Sequence, residues 1–172
     1  MDIKKSLQNS YSKINIEAIA TYACQNKNHF KELVEIYTGK DKRLSQMASW
    51  SLSYAVSKNS TLLQPHLKEI INQLNRKDVH DAVIRNALRI LQDIEIPIKF
   101  HGTVMHTCFN FIETPSTPVA IKAFSLTILY NLSKIYTEIK PELICLIETN
   151  IQHETAAFKS RGNKILKLLK NK

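Results

Sequence analysis

The chain has 172 residues and a formal net charge of +9 at neutral pH. Its composition, 44% hydrophobic and 23% charged, is that of an ordinary folded domain and excludes a disordered chain. Only three Gly and five Pro are present, which is too few turn residues for an all-β domain with many hairpins. The composition therefore favours long helices.

The start of the chain carries basic residues but no continuous apolar stretch, so the sequence predicts neither a signal peptide nor a membrane span. Cys24, Cys108 and Cys145 are odd in number and widely spaced. Such cysteines indicate free, mostly buried thiols in a reducing compartment rather than a disulfide framework. We therefore expect a cytoplasmic protein.

Apolar residues recur with helical spacing along the whole chain, and this pattern predicts about nine helices. In chain order, we expect them at residues 14–26, 29–38, 44–57, 64–76, 79–94, 100–113, 117–135, 139–152 and 155–170.

Alternate helices share an apolar stripe with i, i+3, i+4, i+7 spacing, which places its members on one helix face. The first stripe lies in "HFKELVEIYTGKD", and "HLKEIINQLNRKD" repeats it 37 residues later. The four stripes are Phe30, Leu33, Val34 and Tyr37; Leu67, Ile70, Ile71 and Leu74; Met105, Cys108, Phe109 and Ile112; and Leu143, Leu146 and Ile147.

The helices between them carry a small residue followed four places later by Leu. A small residue lets a neighbouring helix approach closely, and the Leu fills the space one turn further on. These pairs are Ala48 and Leu52, Ala87 and Leu91, Ser125 and Leu129, and Gly162 and Leu166. Both helix classes therefore recur with one period near 38 residues, which is the signature of a repeat protein.

Paired helices with this period and the small-x-x-x-Leu helix resemble the HEAT/armadillo class of α-α repeats over residues 29–170. The resemblance implies an all-α fold, a right-handed α-α superhelix or HEAT-like solenoid. The proline and aspartate usual in that family are only partly present, which leaves HEAT and other helical repeats open. We expect one domain over residues 1–172, with a capping helix in 1–28, stacked helix pairs in 29–154 and a second capping helix in 155–172.

The histidines have a structural explanation. His29 and His66 occupy equivalent repeat positions, which lie about 8–10 Å apart, whereas a shared zinc ion needs nitrogens at about 2.0–2.1 Å. His101, His106 and Cys108 lack the i, i+4 spacing of a helical zinc site, so we expect a buried cysteine and two partly exposed histidines. No nucleophile motif or Gly-rich phosphate loop is present. We predict no metal, no cofactor and no catalytic residue, and enzyme status stays open.

Aromatic residues are expected in the core: Trp50 and Tyr54 are spaced i, i+4 in a small-x-x-x-Leu helix. The alternative is that they stack on a nucleobase. In the tail "KSRGNKILKLLKNK", apolar residues are expected to face inward and lysines outward, as in a capping helix.

The basic residues are the best functional lead. Lys40, Lys42 and Arg43 cluster at one inter-helix turn, and Arg76 and Lys77 occupy the equivalent turn one repeat later, so these charges are expected to stack along one edge. The predicted partner-binding residues are Lys31, Lys68, Lys40, Lys42, Arg43, Arg76, Lys77, Arg85 and Arg89.

The sequence supports two hypotheses about function. The first is a non-catalytic HEAT-like scaffold that binds a protein or peptide on its concave face. The second is a nucleic-acid-binding repeat protein, because the basic chain also resembles the HEAT-like alkylpurine DNA glycosylases. In that family an aromatic residue and an acid act at the damaged base; this pair has no residue-by-residue match here, and the chain is short for the family. The oligomeric state is open.

Overall fold

The structure, a computed structural model, describes residues 1–171. That part of the chain contains ten α-helices and no β-strand, so the all-α prediction is confirmed. The helices are α1 Ile3–Asn9, α2 Lys13–Ala23, α3 Lys27–Thr38, α4 Lys42–Lys58, α5 Leu67–Asn72, α6 Asp81–Leu91, α7 His101–Glu113, α8 Val119–Leu132, α9 Lys140–Asn150 and α10 Ala156–Lys170. Lys172, the last residue of the predicted capping segment, lies outside the described residues.

Each of the nine predicted helices has a counterpart, and α1 is an additional helix. It has seven residues and buries only Ile3 and Leu7, which is too short a pattern for periodicity to reveal. Asp2 caps it by accepting a hydrogen bond from the backbone N–H of Lys5.

The predicted helix at 64–76 is shorter and less regular than expected. It consists of a 3₁₀ segment, Ser60–His66, then α5, then a second 3₁₀ segment, Gln73–Asn75. Pro65 lies inside the first 3₁₀ segment. Its missing N–H and fixed backbone angle disfavour a continuous α-helix through this position.

The chain divides into two compact units, with the boundary between Ile90 and Leu91. Unit 1 contains α1 to α5 and all of α6 except its last residue, and unit 2 contains α7 to α10. The single domain expected over residues 1–172 stays a prediction.

In unit 1 the first predicted stripe forms the core. Phe30, Leu33, Val34 and Tyr37 on α3 are at most 2% exposed, and the equivalent residues of the α5 region are buried as well. The Tyr37 hydroxyl donates a 3.2 Å hydrogen bond to the carbonyl of Val83, which ties α3 to α6. These two stripes are therefore confirmed.

In unit 2 the third predicted stripe is partly wrong. Cys108 and Ile112 are buried, but Met105 and Phe109 are half-buried, and Val104 and His101 are buried instead. The histidine can lie inside because both ring nitrogens have partners; His101 Nε2 is 2.6 Å from the Ile96 carbonyl, and a hydroxyl lies near Nδ1.

The small residues of the second helix class are all buried, as the repeat predicts. At Gly162 in α10, an added Cβ would lie 3.0 Å from Cγ2 of Ile147 on α9. The two helices therefore pack too closely at this point for a larger side chain to fit without movement.

Two basic residues near the small-x-x-x-Leu pairs of unit 2 have internal partners. Lys122 is buried and forms an ion pair with Glu154, and its ammonium also lies 3.5 Å from the carbonyl of Pro115. Arg161 donates hydrogen bonds to the Thr127 hydroxyl and the side chain of Gln92. A buried ammonium needs such partners because desolvation of an unpaired charge is costly.

The three cysteines differ in exposure and none is disulfide-bonded. Cys108 is buried, Cys24 is half-buried and Cys145 is exposed on α9. The expectation of mostly buried thiols is therefore wrong for Cys145, whose helix buries only Leu143 and Ile147. Within residues 1–171, no helix is long and apolar enough to cross a membrane.

Gly162→Val should lower the free energy of unfolding by about 1–3 kcal/mol, because the added methyl groups overpack the contact with Ile147. Gly102→Ala on α7 is the matched control. Nothing lies within 4 Å of its added Cβ, so alanine should stabilise the helix by about 0.5–1 kcal/mol. Urea unfolding followed by circular dichroism measures both changes; equal stability of Gly162→Val and wild type would contradict the close approach.

Candidate partner-binding site

Arg76 joins the two inter-helix turns of unit 1. Its Nη1 donates to the carbonyls of Thr38 and Gly39 at 3.1 and 3.3 Å, at the end of α3, and to the side chain of Gln73 at 3.0 Å. Its Nε and Nη2 hold both carboxylate oxygens of Asp78 at 3.0 and 2.7 Å. The equivalent turns therefore lie side by side in unit 1. The guanidinium of Arg76 already donates its hydrogen bonds to groups of the protein itself.

The hydrogen bond from Arg76 lowers the pKa of Asp78, and the charges of Arg76 and Lys42 lower it further. The same contact raises the pKa of Arg76. A carboxyl with a lowered folded pKa stabilises the protein above its unfolded pKa and loses that contribution as the pH falls through the folded value. The contact between Arg76 and Asp78, which both lie in the second turn, should therefore weaken in acid.

The other basic residues of these turns are exposed. Lys40, Lys42, Arg43 and Lys77 have no carboxylate within 4.0 Å among residues 1–171, although Lys42 is near enough to Asp78 to affect its pKa. We call these four residues the basic edge. Their role in binding a partner stays a prediction.

Two of the predicted binding residues are lysines on the helices that carry the apolar stripes, and both are exposed. Lys31 on α3 is 3.6 Å from the carboxylate of Glu35, an i, i+4 ion pair with both side chains more than half exposed. Lys68 on α5 is exposed. An exposed pair of this kind contributes about 0.3–0.5 kcal/mol to stability, so Lys31 is not needed for the fold.

A group of aromatic and basic side chains lies on the surface of unit 1, and we call it the aromatic–arginine patch. Its members are Tyr11, Trp50, Tyr54, Arg85 and Arg89. The ring of Trp50 meets Tyr11 edge to face at 5.5 Å between centroids and Tyr54 at 6.2 Å. The guanidinium of Arg89 lies 5.7 Å from the centre of the Tyr54 ring, within cation–π range.

Three elements supply the patch. Tyr11 comes from the connection between α1 and α2, Trp50 and Tyr54 stand one turn apart on α4, and Arg85 and Arg89 stand one turn apart on α6. Asn86 on α6 donates a 2.9 Å hydrogen bond to the Ser49 hydroxyl on α4, which fixes these two helices next to each other. Trp50 and Tyr54 are both half-buried instead of belonging to the core, so that expectation is wrong for both residues.

The two arginines of the patch are electrostatically unsatisfied. Both are exposed, and neither has a carboxylate within 4.0 Å in the described part of the chain. Burial raises the pKa of Tyr11, and the charge of Arg85 opposes that rise, which places this guanidinium near the phenol. In unit 2, by contrast, Lys122 and Arg161 have partners of their own.

The sequence named Arg85 and Arg89 but not the aromatic residues beside them. Tyr11 lies outside the repeat, and most of unit 1 separates it along the chain from Arg85 and Arg89 on α6. No spacing in the sequence connects it to these arginines. The i, i+4 spacing of Trp50 and Tyr54 was the one available signal, and it is equally typical of a core helix.

The histidines lie where packing explains them. His29 stacks on Tyr22 with ring centroids 4.0 Å apart, and His66 lies 3.7 Å from the carboxylate of Glu69. His106 is exposed. No group of three or more His, Cys, Asp and Glu side chains that could hold a metal ion occurs in residues 1–171.

His101 and Cys108 are both buried in unit 2, so the expectation of two partly exposed histidines is wrong for His101. A carbonyl can only accept a hydrogen bond, so His101 Nε2 donates to Ile96 and its Nδ1 accepts from the hydroxyl of Tyr136, 3.0 Å away. Burial raises the pKa of Cys108 to about 12, so its thiol stays protonated at neutral pH and serves as a packed core group.

Arg76→Ala should lower the free energy of unfolding by about 1–2 kcal/mol, because two carbonyls at the end of α3 lose their charged donor. The neighbouring Lys77→Ala is the control and should change it by less than about 0.5 kcal/mol. Arg76→Lys should not restore stability, since an ammonium cannot reproduce the fork that holds Asp78. The part of the stability lost in Arg76→Ala that comes from the Arg76–Asp78 contact should disappear once the pH falls below the lowered pKa of Asp78. Urea unfolding of both proteins at several pH values measures this loss.

A known protein family matches almost the whole chain. The model of the HEAT repeat domain matches residues 3–169. No curated protein and no solved structure matched the chain. Since the family match covers both units and almost the full length of the chain, this protein belongs to the HEAT repeat family.

Proposed function

We propose that this HEAT repeat protein is a non-catalytic module whose unit 1 binds an acidic segment of a partner protein or peptide at the aromatic–arginine patch. The observation that carries the proposal is the pair of exposed arginines without carboxylate partners, Arg85 and Arg89, set beside three partly exposed aromatic rings. A helical repeat is a common scaffold for such extended contacts.

The residue types in the patch are those that dominate protein interfaces. Trp, Tyr and Arg are the most frequent binding hot spots, since each contributes a large contact area together with a polar group. An arginine also forms short, bidentate hydrogen bonds to a carboxylate. An acidic segment with an apolar neighbour would satisfy Arg85 and Arg89 and cover the ring of Trp50.

Ring geometry favours a peptide over a nucleobase. A base stacks on a free ring face, but Arg89 occupies one face of Tyr54. The ring of Trp50 meets Tyr11 and Tyr54 edge to face, at interplanar angles of 66° and 68°. Such an arrangement presents ring edges and partial faces, which suit aliphatic and carboxylate groups of a peptide.

Nucleic acid is the second candidate, and the basic edge supports it. Lys40, Lys42, Arg43 and Lys77 are exposed without carboxylate partners within 4.0 Å in the described residues, and the chain carries a net charge of +9. A row of such charges suits the regularly spaced phosphates of a nucleic acid. This candidate uses the basic edge rather than the aromatic–arginine patch, so the two can be separated by mutation.

The double variant Arg85→Glu with Arg89→Glu should weaken peptide binding at least about tenfold, because two charge-assisted contacts become repulsive. Trp50 is the one tryptophan of the sequence and lies in the patch, so its emission reports occupancy directly. The probes are synthetic peptides of alternating Glu and Leu and of alternating Lys and Leu, titrated into the full chain.

The matched control is Lys31→Glu with Lys68→Glu, which makes the same change of charge on exposed residues of α3 and α5. It should change the affinity for the acidic peptide by no more than about twofold. If this control loses binding and the Arg85/Arg89 variant keeps it, the interface is the predicted Lys31 and Lys68 surface and the proposed patch is wrong.

Titration with a mixed-sequence single-stranded oligonucleotide distinguishes the second candidate. Binding that is tighter than peptide binding, falls steeply with salt concentration and is lost on reversing Lys42 and Lys77 would favour nucleic acid. Absence of any acidic-peptide binding at low salt would refute the proposed function.

A further inference from the structure

A second surface of the protein, on unit 2, has a different chemistry. We infer that the apolar groove between the α6–α7 connection and the end of α8 is a homodimer interface, whose occupant is the same groove of a second copy of this chain. The inference uses none of the residues of the aromatic–arginine patch and does not depend on the proposed function.

The groove has a volume of about 660 Å³, within the range of pockets that hold ligands or anchor side chains. One wall is the connection from Glu95 to Ile98, and the other is the last turn of α8 with the residues that follow it. Asn131 Nδ2 donates a 3.0 Å hydrogen bond to the carbonyl of Gln92, which ties the two walls together.

The floor of the groove is apolar and its polar groups are already satisfied. Leu91, Ile128 and Leu132 are at most 4% exposed. The one histidine of the floor, His101, has internal partners for both ring nitrogens. The floor therefore offers no free hydrogen-bonding group, and an occupant must be held by apolar contact.

The rim carries two projecting isoleucines and two opposite charges. Ile98 is 78% exposed and Ile135 is 63% exposed, although both line an apolar groove. Glu95 and Lys134 are exposed on the same rim, and neither has an ion-pair partner within 4.0 Å in residues 1–171. The Lys134 ammonium lies 4.6 Å from the centre of the Tyr130 ring, so it is held beside the groove.

The groove thus carries two sets of complementary groups. The first is a hollow and the isoleucines that can fill it, and the second is an acid and a base that can form an ion pair. An interface with two-fold symmetry requires this property, because each residue meets its complement on an identical surface. Around a two-fold axis, Glu95 of one copy pairs with Lys134 of the other, and the reverse pair forms at the same time. A partner of a single charge sign, such as a fatty acid or a polyanion, would leave one of these charges unpaired.

Charge balance supports the same occupant. The chain as a whole carries +9, which opposes association of two copies through most of its surface. The groove rim, with one acid and one base, is neutral. Two copies can therefore approach there without the repulsion that a basic surface would produce.

Sedimentation velocity of the full chain from about 1 µM to about 1 mM tests the inference, and a reversible monomer–dimer equilibrium is expected. Ile98→Asp with Ile135→Asp should weaken dimerisation at least about 100-fold, because four buried isoleucines are lost per dimer. Ile14→Asp on α2 is the matched control, since Ile14 is 82% exposed and lies in unit 1. It should leave the equilibrium unchanged.

A charge swap gives a readout that a merely destabilised protein would not show. Glu95→Lys and Lys134→Glu alone should each weaken the dimer about tenfold by placing like charges opposite one another, and the double swap should restore the wild-type constant. Glu113→Lys and Lys164→Glu, both exposed on unit 2, are the controls. A protein that stays monomeric at the highest concentration, or a dimer that resists the isoleucine variant, overturns the inference.

Discussion

No helix of this protein can bury its apolar stripe alone, and the fold follows from that constraint. Helix α3, whose stripe is buried, packs against α4, α2 and the 3₁₀ segment Ser60–His66, and the arrangement requires a second helix that can approach closely. Small residues such as Ala48 and Gly162 provide that approach, at positions set by one period. Equivalent turns of unit 1 then lie next to each other, which is what lets Arg76 donate to the carbonyls of Thr38 and Gly39.

The repeat could be predicted because it rests on many residues of similar character. Phe30, Leu33, Val34 and Tyr37 are buried as their spacing requires, and an error in one position would not have hidden the pattern. Individual residues were less predictable. The burial of His101 depends on Ile96 and Tyr136, and residue 136 lies 35 places along the chain. A polar residue enters a core only when partners from other elements satisfy it, and spacing within one helix does not reveal them.

Basic residues show the same limit at the candidate site. In the sequence, Arg76, Arg85, Lys122 and Arg161 are alike, because nothing in the sequence pattern shows which of these cations has an internal partner. The structure separates them by their partners: Arg76 holds two turns, Lys122 is paired with Glu154, and Arg161 donates to Thr127. Arg85 keeps its charge exposed beside aromatic rings. The net charge of the chain therefore says little about binding, because it also counts cations that already have partners inside the protein.

The two proposed surfaces differ in the force that each can use. The aromatic–arginine patch combines unsatisfied positive charge with aromatic area, so it selects for the charge of a partner and should respond to salt. The groove of unit 2 has a satisfied, apolar floor and a rim with one acid and one base, so it selects for shape and apolar area together with opposite charges at two rim positions.

A dimer formed through the groove would carry two patches. For a partner with several acidic segments, binding of the second segment becomes intramolecular, and the apparent affinity rises without any new contact. A single patch built from two arginines and three rings is small, and its contacts with a peptide are modest in number. Association of two copies is therefore the means by which this short repeat protein would convert a weak contact into a stable one, provided that both patches reach the same partner.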